Sequence, residues 1–222
     1  MDAFTDLAQW LAPARVALLV IDMQADYVAT NGHLARGGRD VSAIAAIVPR
    51  IDQLARAARA AKVPVIYTRQ TALADGRSDS PARRRYKQVA KPGLGSAYPL
   101  IGTTGHAVID ALKPHPGDIV IDKFRSSAFH QTGLDLILRS NSREAVLLCG
   151  AVTEGCVEST ARDAANHDYL PIVVTDAVAS NDARLHEAAL VAMRGRFDTA
   201  TSDQIVLMWQ GRAKAGRRSR SA

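Results

Sequence analysis

The chain has 222 residues, of which 47% are hydrophobic and 23% charged, values ordinary for a globular protein of one larger domain. No apolar run approaches the roughly 20 residues of a membrane helix, and the acidic, polar start from Met1 to Trp10 is unlike a secretory leader. Five of the six net positive charges come from Arg212, Lys214, Arg217, Arg218 and Arg220, so the excess marks a basic end rather than a basic binding face.

In chain order, short apolar runs rich in Val and Ile recur at Val16 to Ile21, Val63 to Tyr67, Ile119 to Ile121, Ala145 to Leu148 and Pro171 to Val174. Nearly continuous apolar character suits strands buried on both faces, hence a parallel sheet. Helical spacing lies between and after them, over Val41 to Ala61, Thr132 to Arg139, Cys156 to His167 and Arg184 to Met193. The alternation predicts an α/β fold with helices on both faces of the sheet. Gln70 to Thr103, with seven Gly and Pro residues, reads as one long irregular region rising from the carboxyl edge. Ile205 to Trp209 reads as a short helix or an edge strand. Residues 1–210 form one domain on this reading, and 211–222 a disordered basic tail, which sets aside nucleic-acid or membrane-surface binding. Arg83, Arg84 and Arg85 read as surface charge, and Glu158 and Arg162, four apart, as an intrahelical ion pair.

The chemistry gathers at strand ends. Asp22 follows the first strand, Lys123 follows the third, and Cys156 follows a small-residue corner, Gly150 to Gly155, after the fourth. In a parallel sheet all three face one edge. A thiol at a helix start feels the positive end of the helix dipole, which favours the reactive thiolate. The only other cysteine, Cys149, ends an apolar run and reads as buried; exposed beside Cys156, it would make a redox pair. The default compartment is a reducing cytoplasm.

Val16 to Gln24, Asp122 to Phe129 and Gly150 to Val157 resemble, in order, the opening strand, lysine segment and cysteine turn of the isochorismatase-like cysteine hydrolases. The likeness extends from about Val16 to about Trp209. It implies a three-layer α/β/α fold with a mostly parallel six-stranded sheet in Rossmann-like order. It also implies a catalytic triad of Asp22, Lys123 and Cys156. The oxyanion donors would be the backbone N–H groups of Val152 and Cys156, with a cis peptide between Ala151 and Val152. Cysteine where isochorismatase itself has glycine points to C–N cleavage. Nicotinamidases carry an aspartate and two histidines after the second strand; Thr68 to Asp75 has no histidine, so neither metal nor other cofactor is expected.

The segments Cys156 to Ala164, Pro116 to Val120 and Thr132 to Arg139 are closest to the ureidoacrylate, biuret, triuret and N-carbamoylsarcosine hydrolases. Glu154 departs from the Ala, Thr or Asn usual in that turn. This branch implies a small amide or ureide as partner and a homo-oligomer, dimer or tetramer. Candidate substrate contacts are Tyr27, Arg69, Gln70, Phe129 and Glu154, with Arg69 suited to a carboxylate. The alternatives are another hydrolase of the family, nicotinamidase-like or acting on a different amide, and a thiol sensor or binding module with a vestigial site.

Overall fold

Six parallel strands form one sheet in the order β3-β2-β1-β4-β5-β6 in this computed structural model. The structure describes residues 6–90, 92–95 and 98–218, the last seven by backbone alone. The strands are β1 (Val16–Ile21), β2 (Val65–Gln70), β3 (Ile119–Lys123), β4 (Ala145–Ala151), β5 (Leu170–Ala179) and β6 (Asp198–Ala200). Alternation along each strand divides the core. Leu18 and Val20 pack on one face with Ile51, Leu54, Ile205 and Trp209 from the Val48–Ala60 and Ser202–Arg218 helices. Ala17, Leu19 and Ile21 pack on the other with Leu138, Ala161 and Leu190 from the Leu134–Ser140, Glu158–Asn166 and Ala183–Arg194 helices. The α/β class and the three layers are those predicted.

Several boundaries differ from the sequence reading. The strands β2, β3, β4 and β5 run farther toward the carboxyl edge than their apolar runs, because the polar or small residues that follow still pair through their backbones. The edge strand is Asp198–Ala200, and Ile205 to Trp209 lie within a helix. That helix continues through Arg218, so most of the segment read as a disordered tail is helical. Its Ala, Lys and Arg are good helix formers. Residues 219–222 of that segment lie outside the described residues. Within the stretch read as irregular, Pro81–Ala90 is a helix. Its start carries a signal that the surrounding Gly and Pro obscured: Ser80 Oγ accepts from Arg83 N–H at 3.2 Å, and proline occupies the first helical position.

One glycine governs how the site assembles. Ile21 and Gly150 are register partners on β1 and β4, and Gly150 has φ 117°. A Cβ there would meet Ile21 O at 2.1 Å, so only glycine lets the end of β4 lie this close to the residue before Asp22. No helix among the described residues is long and apolar enough to cross a membrane.

Candidate active site

Asp22 leaves β1 in the left-handed region, φ 52°, a conformation that Asp tolerates better than most residues. Its side chain is fully buried. Thr68 Oγ1 donates to Asp22 Oδ1 at 2.8 Å, and Lys123 Nζ lies 2.7 Å from Oδ2, with no exposure on either side chain. Oδ2 accepts no further hydrogen bond, leaving it open to a proton from a neighbour.

Lys123 ends β3 beside Gln70 at the end of β2. After Lys123 the chain curls back, so its ammonium also donates to Arg125 O at 3.1 Å, Ser126 O at 3.0 Å and Gln70 Oε1 at 3.1 Å. Burial is the largest single influence and opposes this charge, but the Asp22 carboxylate and Cys156 together hold Lys123 above its ordinary value. Gln24 braces the same corner. It accepts from Gln70 N–H at 2.8 Å and donates to Gln70 O at 3.0 Å and His106 O at 2.9 Å.

Cys156 lies in a single π-type turn, Thr153–Val157, that leads into the Glu158–Asn166 helix. Such turns recur at functional positions. Its Sγ is 4.0 Å from Gln70 Oε1, within electrostatic reach of both Asp22 and Lys123. The peptide between Ala151 and Val152 is cis. The expectation that the helix start favours the thiolate is corrected here. Burial pushes the thiol up to about 12, the Asp22 carboxylate adds to the rise, and Lys123 opposes it. The resting group is therefore a thiol, and a base must take its proton. Alkylation of Cys156 by iodoacetamide should accelerate about tenfold per pH unit from 7.5 to 9.5. A plateau below pH 9 would contradict a raised thiol.

Cys149 is fully buried in the sheet, its Sγ 3.4 Å from Leu19 O, and burial pushes it far above the ordinary thiol range. Mass mapping should find Cys156 labelled well before Cys149.

Above the thiol is a pocket of about 200 Å³. Of the predicted substrate contacts, Tyr27, Gln70 and Glu154 line it, as does Val152. Arg69 does not. It alternates with Gln70 along β2, so it faces the other side of the sheet, where Asp122, its register partner, accepts at 2.7 and 3.0 Å. Phe129 is also absent from the lining. Ala128 N–H donates to Thr160 Oγ1, which ties this segment to the Glu158–Asn166 helix. The Phe129 ring then turns into the core, stacked 5.0 Å from His167 and tilted 5.6 Å from Tyr169.

The residues missed by the sequence reading come mainly from the Pro81–Ala90 helix. Arg83, Tyr86 and Lys87 face the pocket, which corrects the reading of Arg83 as surface charge. Tyr98 and Leu185 complete the mouth. Glu158 and Arg162 do pair along their helix, at 2.6 Å. No three His, Cys, Asp or Glu side chains among the described residues stand close enough to share a metal ion.

A buried carboxylate–ammonium pair beside a cysteine, on the carboxyl edge of a parallel sheet, is a hydrolase's arrangement. The chain belongs to the isochorismatase family: the family model described as the isochorismatase domain matches residues 16–204. The ureidoacrylate amidohydrolase RutB of Methylobacterium radiotolerans is 35% identical over 196 residues, covering 84% of this chain and 76% of that protein. A cysteine hydrolase from Pseudomonas syringae pv. phaseolicola superposes with TM-score 0.78 at 31% identity, covering 90% of this chain and 94% of its own. N-carbamoylsarcosine amidase from Thermoplasma acidophilum superposes with TM-score 0.68 at 28% identity, covering 85% and 97%.

Proposed function

We propose that the protein is a cytoplasmic, cysteine-dependent amidohydrolase that cleaves a C–N bond of a small carbamoyl or ureido compound and releases ammonia. The observation that carries the reading is the open Asp22 Oδ2 beside a thiol that burial keeps protonated. The similarity to a ureidoacrylate amidohydrolase and an N-carbamoylsarcosine amidase supports the substrate class. The two free thiols and the absence of a membrane-length helix among the described residues fit the compartment.

Asp22 takes the proton from Cys156, and the thiolate attacks the carbamoyl carbon. Lys123 remains charged and offsets the negative charge that moves between carboxylate and sulfur. The N–H groups of Val152 and Cys156 stabilise the oxyanion. As the tetrahedral species collapses, Asp22 returns its proton to the leaving nitrogen, ammonia departs, and a thiocarbamate remains on Cys156. Water then gives Asp22 a proton and attacks the same carbon. Collapse expels the thiolate, which recovers its proton from Asp22. The released carbamic acid breaks down to carbon dioxide and an amine.

The test is ammonia release from ureidoacrylate, biuret, triuret, N-carbamoyl amino acids and nicotinamide. Turnover of at least one carbamoyl or ureido compound, faster than that of nicotinamide, is expected. A preference for nicotinamide, or no release from any of them, would reject the reading.

A further inference from the structure

The lining of the pocket over Cys156 carries both cations and a carboxylate. Lys87 is already matched: its Nζ lies 2.6 Å from Asp79 Oδ2, and Asp79 is buried. Arg83, one turn earlier on the same helix, has no ion-pair partner among the described residues. Its guanidinium lies 4.6 Å over the Tyr86 ring, and its Nε is shielded from water without a hydrogen bond. Arg83 is thus a held, unmatched cation in the lining.

The carboxylate in the lining is Glu154, two residues before Cys156. Ser180 Oγ donates to its Oε1 at 3.0 Å, which fixes the carboxylate. Its Oε2 is shielded from water and accepts nothing. A shielded carboxylate oxygen without a donor is costly unless a ligand supplies one.

Resting on the hydrolase reading above, we propose that Arg83 and Glu154 make the protein selective for ureido acids. Arg83 receives the substrate's carboxylate, and Glu154 Oε2 accepts an N–H of the ureido group, which holds the carbamoyl carbon over Cys156. The guanidinium fork suits a planar carboxylate, and a neutral ureide would leave it unmatched. A simple amide lacks the second ureido nitrogen that Glu154 can engage.

The experiment measures calorimetric binding of 3-ureidopropionate and its neutral methyl ester to Cys156→Ala protein, with and without Arg83→Gln or Glu154→Gln, beside wild-type ammonia release. The acid should bind about ten- to a hundredfold more tightly than the ester. Arg83→Gln should remove most of that preference, whereas Glu154→Gln should weaken both ligands and leave the preference in place. Equal binding of acid and ester with Arg83 intact, an unchanged preference in Arg83→Gln, unchanged binding in Glu154→Gln, or no binding of either ligand would overturn the proposal. Selective binding without ammonia release would instead reject the hydrolase reading and leave the pocket assignment standing.

Discussion

Asp22→Asn should lose both activity and stability. The side chain is fully buried against Lys123 at 2.7 Å, so asparagine leaves an ammonium without its counter-charge in the interior. Removing one partner of a buried pair costs about 3–5 kcal/mol. For a domain of this size that lowers the melting temperature by about 10 °C. Activity should fall by about 10²–10⁴-fold, because an amide in place of the Asp22 carboxylate cannot take the thiol proton. Adding Lys123→Met removes the stranded charge, so the double variant should regain much of the lost stability and none of the activity. Differential scanning calorimetry beside the ammonia assay separates the two effects. A single variant that melts within about 2 °C of wild type would show that the pair does not support the fold as described.

Cys156→Ala is the opposite case. Activity should fall by about 10⁴-fold or more, since Cys156 is the pocket group within reach of the Asp22–Lys123 pair and alanine cannot form the covalent bond. Stability should barely change. Cys156 faces a cavity and the change deletes one sulfur atom from the rim of the core, so it takes little packing with it. A melting temperature within about 3 °C of wild type is expected, with steady-state ammonia release at the detection limit. Near-normal turnover would remove the nucleophile from the mechanism. A large fall in melting temperature would assign Cys156 to the core.

The contrast between these variants follows from what the sequence exposes and what it hides. Asp22 and Lys123 are legible because each follows an apolar run, and Cys156 because it follows the small-residue corner after the fourth; a parallel sheet carries all three to one edge. Arg69 and Gln70 looked equivalent as neighbours after a strand. The strand runs on through both, and its alternation sends them to opposite faces, so only Gln70 enters the site. Phe129 looked available beyond β3, but its segment folds back onto the helix after Cys156. Arg83 was hidden because the helix that carries it is flanked by Gly and Pro, which dominate a composition reading. The direction of the thiol shift was hidden for a different reason. A helix start is visible in sequence, whereas desolvation depends on what packs around the sulfur, and here desolvation is the largest cause of the rise.

The covalent step can be tested most directly by quenching the enzyme in acid during turnover of a ureido substrate and mapping the peptides by mass. A thiocarbamate adduct should appear on Cys156, be absent from Cys149 and decay at the rate of turnover. Steady ammonia release with Cys156 unmodified at every time point, under conditions where carbamoylation is rate-matched with hydrolysis, would contradict the covalent step.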